Sequence, residues 1–547
     1  MNLRTSLVLI ALTGLIGCSA GESNVERGNR EGILYFGNGT EPQSADPHVL
    51  SGSPEVNLAV ALFEPILGRN PYTLAIEPGV AERWEFNEDR TAVTFYLNPE
   101  ARWSNGDPLT AEDFRWSWQR ALNPAMGNTM ANSLFVIRGA EDYHYGRNPD
   151  PDALGLHVID QHTLRVELSY PNPFALIRLT YIYTAPVHRA TIEAHGKSTD
   201  RYSAWTKPGN FVGNGPFTID DWKMQRFVIV RKNPYYWDRD NVALNGIVFR
   251  PIESSNTEEK MFRSGQLHAT TTIANTKIPI YRQQPEPALT EGPFMGSYYY
   301  MFNTRRPPLD SLPVRRALAL AVDRETLANT VLAGTAIPSA NYVPVGMPDY
   351  THPAVLGFNP EEARRLLAGA GYPNGEGFPD ITLIYNTLEN HRSVAVAIQQ
   401  MWKTHLNLDI EIANQEWMVY LDTLENRDYD IARMGWTGDI YPGVFLDRLV
   451  TTGTSNRLGF ANAEYDDIIL NQIRATGDAE VQMALYAEAE RVLLDEMPLL
   501  PIYTYTNKFL AQPSMEGMPS NLSSMINWKY IKLDPDAPAW KWTSLDP

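Results

Sequence analysis

The sequence predicts a mixed α/β fold divided into more than one domain, and three observations carry that expectation. The chain has 547 residues, too many for one compact core at roughly 100 to 200 residues per domain, so two to four domains are expected. Its 43% hydrophobic and 20% charged residues are those of a globular chain and exclude a disordered polymer or a polytopic membrane protein. Segments alternating apolar and polar residues are interleaved with segments of helical period, and no internal repeat is detectable.

The elements follow in chain order. MNLRTS places Arg4 ahead of the apolar run LVLIALTGLI, which is too short to span a bilayer of about 30 Å, so residues 1–17 read as a secretion signal. The run closes with Leu15, Ile16, Gly17 and Cys18, which resembles the lipobox of bacterial lipoproteins, where cleavage before the cysteine precedes its acylation. Cys18 is the only cysteine, so a disulfide is excluded; the alternative is an incidental small residue at an ordinary cleavage site. Residues 18–32 then read as a lipidated, flexible tether.

Strands are expected at TAVTFYLNP, where Val93, Phe95 and Leu97 alternate, and at HTLRVELSYP, where Leu164, Val166 and Leu168 alternate. Between them Thr110 and Asp113 form a capping-box start to a helix carrying Phe114, Trp118 and Ala121. RFVIVRKNPYYW, NGIVFRPI, ITLIYN and LDIEIANQ add strands. Helices are expected at Val314–Val331, Pro360–Ala370 (Asn359 as N-cap, Gly371 as C-cap), His391–His405 and Ala479–Asp495. The Pro/Gly-rich stretches TKPGNFVGNGPF and EGPFMG mark two candidate domain crossings.

Charge and motif content restrict function. A net charge of −18, from 46 basic and 64 acidic residues, argues against a nucleic-acid partner. There is no HExxH and no P-loop, so the signatures of metalloproteases and NTPases are absent. The histidine pair His157 and His162 flanks a turn and lacks a third ligand; neither a metal nor a cofactor is expected. Glu258/Glu259, Glu361/Glu362 and Asp466/Asp467 read as solvated helix faces. Asp439, in RMGWTGDIYP, stands out: by pattern alone it is a turn residue, and nothing in folding demands an acid there.

Nine stretches in order, GTEPQSADPHVL, ALFEPIL, PGVAERWEF, ARWSNGDPLTAEDFRWSWQRAL, TKPGNFVGNGPFTIDDW, VRRALALAVDRETL, LIYNTLENH, NQEW and RMGWTGD, resemble the oligopeptide-binding proteins of bacterial ABC importers, within extracellular solute-binding protein family 5. The resemblance covers about Gly32 to beyond Tyr505. It implies a two-lobed binding-protein fold with an extra third domain, the lobes joined by a two-segment hinge around a cleft. Transferred onto this chain, lobe I is 31–63, 187–290 and 506–547, the extra domain is 64–186, and lobe II is 291–505.

The resemblance also implies a non-enzymatic, monomeric, lipid-anchored subunit that takes oligopeptides as extended strands and delivers them to permease subunits at the periplasm or cell surface, touching the membrane through its lipid alone. Backbone pairing would fall to Ser51, Gly52 and Ser53 and to Gly435, Trp436 and Thr437. Asp439 would hold the peptide ammonium in a W-x-x-D arrangement, and Arg433, His391 and Arg306 the carboxylate. Arg306 stands where the family's best-known member has lysine, and its reach bears on peptide length. Trp417, Trp436, Tyr503 and Tyr505 would wall side-chain pockets. The stretch Thr129–Leu134 departs from the family where tyrosines are common. Rival readings are the same fold with another cargo (dipeptide, murein peptide, nickel chelate or haem) or a secreted hydrolase.

Overall fold

The apolar alternations resolve into three large sheets, beside two of two strands each, in a computed structural model, which describes residues 22–543 apart from 51, 356, 454–455, 519–520 and 524–525, and leaves aside the side chains of 389, 417 and 418. The signal peptide and Cys18 lie outside the described residues, as does Ser51. Among the described residues no helix is long and apolar enough to cross a membrane.

The first sheet has four strands in the spatial order Ile33–Gly37, Gly246–Arg250, Phe227–Lys232 and Phe217–Lys223, the first pair parallel and the others antiparallel. Its core gathers Leu34, Phe36, Val230 and Phe249 with Trp528 from near the C-terminus. The second sheet, antiparallel throughout, orders Ala81–Phe86, Ala92–Leu97, Thr163–Glu167 and Leu156–Asp160. The helix Ala111–Leu122 packs on it through Phe114, Trp118 and Ala121, and its Thr110/Asp113 capping box forms as expected. The third sheet has six strands, Ala336–Pro338, Leu499–Leu510, Leu289–Phe302, Ile431–Thr437, Thr382–Asn386 and Glu411–Gln415, with cores on both faces. The bodies built on these sheets are called lobe I, the extra domain and lobe II.

Two strands of the third sheet, Leu289–Phe302 and Leu499–Leu510, are far longer than a usual strand and pair antiparallel from Leu289↔Leu510 to Met301↔Leu499. The register slips between Pro293 and Ser297, because proline supplies no N–H to the ladder. At the lobe I end this ribbon is tied to Ala269 and Thr270 through Ala269↔Ala511 and the bond from Thr270 N to Leu510 O, at 2.9 Å. The stretch TKPGNFVGNGPF packs against the end of the helix Ser53–Leu62. Gly215 N donates to Leu62 O at 3.0 Å, and a Cβ at Gly213 would lie 2.4 Å from the same oxygen.

Three expectations need correction. Most of the presumed tether is helix: Asn24–Glu31 starts on a Ser23/Glu26 capping box, buries Val25, Gly28 and Asn29, and ends on Gly32 at φ 67°. The helix expected over Val314–Val331 stops at Leu320, and Asp323 caps a new start, accepting from Thr326 N. Glu258 and Glu259 are buried. Glu258 accepts from Thr271 N at 2.8 Å and Thr271 Oγ1 at 3.1 Å, and burial raises its carboxyl to about 7. Glu259 accepts from Tyr281 Oη at 2.8 Å.

Candidate functional site

The strand Ile431–Thr437 is buried and apolar at its start and turns half-exposed at Gly435 and Trp436. One edge pairs with the hinge strand from Phe302↔Ile431 to Gly296↔Thr437. On the other, Thr382–Asn386 pairs only at Leu383↔Ile431 and Ile384↔Ala432, so among the described residues Arg433 to Thr437 have no strand beside them. An open edge of this kind is a template for an added strand.

Arg433 lies at the inner end of that edge. Its guanidinium donates to Asn386 Oδ1 at 3.1 Å and Tyr505 Oη at 2.5 Å and lies 4.6 Å from the Tyr298 ring centroid. It is buried, and among the described residues its Nε has no hydrogen-bond partner and no carboxylate pairs with it. Burial favours loss of its proton, yet the surrounding tyrosines Tyr505 and Tyr298 raise its pKa above the ordinary arginine value. A Cβ at residue 435 would lie 2.6 Å from Tyr505 Oη and 3.0 Å from Arg433 Nη2, which explains the glycine there.

His391, in the first turn of the helix Glu389–Leu406, sits with its ring 5.6 Å from that of Tyr298. Burial first, and then the Arg433 charge, lower it to about 2, so the imidazole is neutral, and its Nδ1 has no partner. Arg433 and His391 therefore share one pocket of positive or neutral donors. Arg306 does not join them: it is half-exposed and paired with Asp428 at 2.6 Å and Asp430 at 3.4 Å.

Asp439 lies just past the outer end of the edge, buried at 4% exposure. Its Oδ1 accepts from its neighbour Ile440 N at 2.7 Å and from Ser523 Oγ at 2.9 Å, and its Oδ2 accepts from Arg69 Nη1. Three bodies of the fold thus meet on one carboxylate: lobe II supplies it, the extra domain supplies Arg69, and the C-terminal segment supplies Ser523. Burial and then the Asp439 charge push the Tyr181 phenol well above its ordinary value, and Arg69 Nη2 has no hydrogen-bond partner among the described residues.

The aromatic candidates divide. Trp436 donates to Val444 O at 3.0 Å while Arg448 lies 3.5 Å over its ring. Tyr505 is half-buried beside Arg433, but Tyr503 is stacked on Tyr298 at 4.5 Å inside the lobe II core, as an ordinary strand residue would be. Gly52 is extended at φ −155°, whereas Ser53 opens the helix Ser53–Leu62, with Pro54 in its first turn, so the extended run stops one residue early.

Arg69, Ser523, Tyr181, Tyr298 and Asn386 were not selected from sequence. Each reaches the site from an element far along the chain, and no local spacing signals them.

Lobes joined by a ribbon, with an open strand edge between an acid and a buried cation, define a protein that captures a ligand rather than transforms one. The chain matches the family described as bacterial extracellular solute-binding proteins, family 5 (middle), over residues 75–457, and it belongs to that family. It is a solute-binding protein and not an enzyme. It is 34% identical over 502 residues to the periplasmic oligopeptide-binding protein OppA of Escherichia coli K12, covering 88% of this chain and 89% of OppA. The structure of the E. coli murein tripeptide binding protein MppA superposes with a TM-score of 0.83 at 32% identity, covering 92% of this chain and 98% of MppA. Its unliganded open form superposes less well, with a TM-score of 0.72 at the same identity, covering 92% of this chain and 97% of that one.

Proposed function

We propose that this protein is a lipid-anchored, extracytoplasmic receptor that captures oligopeptides as extended strands and hands them to an ABC import permease. The observation that carries this reading is the unpaired edge from Arg433 to Thr437, with a buried cation at one end and a buried carboxylate just beyond the other. Main-chain hydrogen bonds to such an edge hold any sequence, and the charged ends distinguish a peptide from other extended molecules. With its ammonium at Asp439 and its carboxylate toward Arg433 and His391, the peptide runs antiparallel to Ile431–Thr437. Two relatives named for peptide ligands support the cargo class. Trp436 and Tyr505 wall the side-chain positions; Gly52 borders the opposite side; Arg306 serves longer peptides, released from Asp428 and Asp430.

Arg69 donates to Asp439, so an arriving ammonium competes with it or shares the carboxylate with it. The domain assignment follows the sheets: lobe I at 31–63, 187–290 and 506–547, the extra domain at 64–186 and lobe II at 291–505, with the last two crossings inside the paired ribbon. Cys18 carries the lipid.

Native mass spectrometry of protein purified without denaturation tests the cargo, with co-purified intact peptides as the expected result. Cleaved peptides after incubation with a library, or a non-peptide cargo, would overturn the reading. Calorimetry tests polarity: N-acetylated peptides are expected to bind at least about tenfold more weakly than free ones, from the loss of a charge-assisted hydrogen bond. Equal affinities would remove the ammonium from Asp439.

A further inference from the structure

Resting on the lipid-anchor reading, we infer that the lobe I face around the N-terminal helix is a docking surface for a bilayer with anionic headgroups. The argument starts from where the chain enters the folded body. Ser23 caps the helix Asn24–Glu31, and Val25 N donates to Gly265 O at 2.9 Å. A Cβ at residue 265 would lie 2.9 Å from Ser23 Cβ and 3.3 Å from Ala539 Cβ, so the root of the tether is wedged between the end of the helix Ser255–Arg263 and the C-terminal segment. Cys18 precedes Ser23 by five residues, and a fully extended chain of that length reaches at most about 18 Å. An acylated Cys18 therefore holds this face, and no distant one, within molecular contact of the lipid.

The chemistry of the face suits that position. A shallow open groove beside the root is lined by Glu259, Lys260, Arg263, Ser264, Lys277 and Trp542. Lys260, Arg263 and Ser264 are exposed, as is Lys541 next to the groove's tryptophan. Trp542 lies 4.5 Å under the Arg263 guanidinium and 5.2 Å from the Tyr281 ring. Tryptophan and tyrosine flanked by lysine and arginine are the side chains that partition into a headgroup layer, apolar body inward and charge outward.

The acids nearby are already committed. Glu259 is buried against Tyr281 Oη and 3.5 Å from Arg263, and Glu22 is paired with Arg30. Glu26 closes the capping box, where its bonds to Ser23 hold its carboxyl below the ordinary range, and it feels the Lys541 charge. A cluster of exposed cations on a chain whose net charge is −18 stands against the sign of the whole, and each lysine or arginine near an anionic surface favours the docked orientation about fivefold.

The experiment uses the full lipidated chain. Because Cys18 is the only cysteine, Ser264→Cys and Arg365→Cys each supply a single labelable thiol, the first in the groove and the second on an exposed lobe II helix. Each variant carries an environment-sensitive fluorophore and is reconstituted into phosphatidylcholine vesicles with or without phosphatidylglycerol, containing a headgroup-quencher lipid. The expected result is flotation that Cys18→Ser abolishes, with quenching at 264 several-fold above that at 365 in anionic vesicles. Lys277→Glu with Lys541→Glu is expected to lower the quenching at 264 by about fivefold or more. Flotation with equal quenching at 264 and 365 would overturn the docking face while leaving the anchor intact. Quenching at 264 that ignores phosphatidylglycerol would assign the orientation to tether length alone and overturn the headgroup contact. Flotation that survives Cys18→Ser, or is absent from the wild type, would overturn the anchor and this face with it.

Discussion

The extra domain meets its two neighbours through buried arginines, and the two junctions are built differently. Toward lobe I, Arg120 sets both Nη atoms on Asp46, at 3.1 and 2.6 Å, and its Nε on Ser198 O at 2.6 Å. His48 completes the group, at 2.8 Å from Arg120 Nη1 and 3.0 Å from Ala185 O. Against the cost of burial, the Arg120 charge holds the Asp46 carboxyl below its ordinary value. Toward lobe II, Arg69 reaches Asp439 and Arg178 reaches Asp447 at 2.6 Å, but Arg69 Nη2 and Arg178 Nε, both buried, have no hydrogen-bond partner. A saturated buried network is costly to open, whereas an unsaturated one has already lost part of the energy that would resist opening. The first junction is built to last and the second to part.

Five substitutions break or sharpen that contrast. Asp46→Ala leaves Arg120 buried without its partner and is expected to cost about 3 to 5 kcal/mol in chemical denaturation; a loss below about 1 kcal/mol would erase the distinction. Asp439→Asn is expected to weaken binding of free-amine peptides at least about tenfold in calorimetry while leaving N-acetylated peptides unchanged. Arg69→Met then separates competition from sharing, since tighter binding means that Arg69 excludes the ammonium and weaker binding that it helps to hold it.

His391→Gln probes the carboxylate end through pH. The folded-state value of about 2 lies below the ordinary 6.5, so the native state forgoes a proton that the unfolded chain takes up. That contribution to stability is complete above pH 6.5 and falls by about 1.4 kcal/mol per pH unit on acidification toward the folded value. The glutamine variant should lack this share of the acid slope, while His48 and His268, both lowered to about 4 chiefly by burial, keep theirs. Identical slopes would place His391 in contact with solvent. Arg178→Met has the smallest expected effect, about 0.5 to 1 kcal/mol, because Asp447 keeps 27% of its side chain exposed and solvent screens the pair. Its readout is the ligand-free radius of gyration by solution scattering, which should grow if the pair helps hold the cleft shut.

Periodicity located two strands in each of the three large sheets and the helix over Ala479–Glu496, because those segments carry their own apolar pattern. It ran through the break after Leu320, where the apolar pattern continues and only Asp323 marks the restart. The N-terminal helix was missed although SNVE carries a capping box in plain letters, because the segment around it is polar. Asp439 was conspicuous for lacking a local purpose. Its actual partners, Arg69 and Ser523, stand 370 and 84 residues away, and nothing in a linear pattern announces them. Arg433 was chosen as a cation, yet its environment of tyrosines and a neutral imidazole arises from strands that meet only in the folded sheet.

The slip between Pro293 and Ser297 interrupts the only long ribbon that runs from lobe I into the lobe II sheet among the described residues. Two strands laddered together resist shear and in-plane rotation, but they flex across their face where the ladder is missing. The motion expected of such a hinge is a single opening coordinate, gape, instead of a continuum of relative poses.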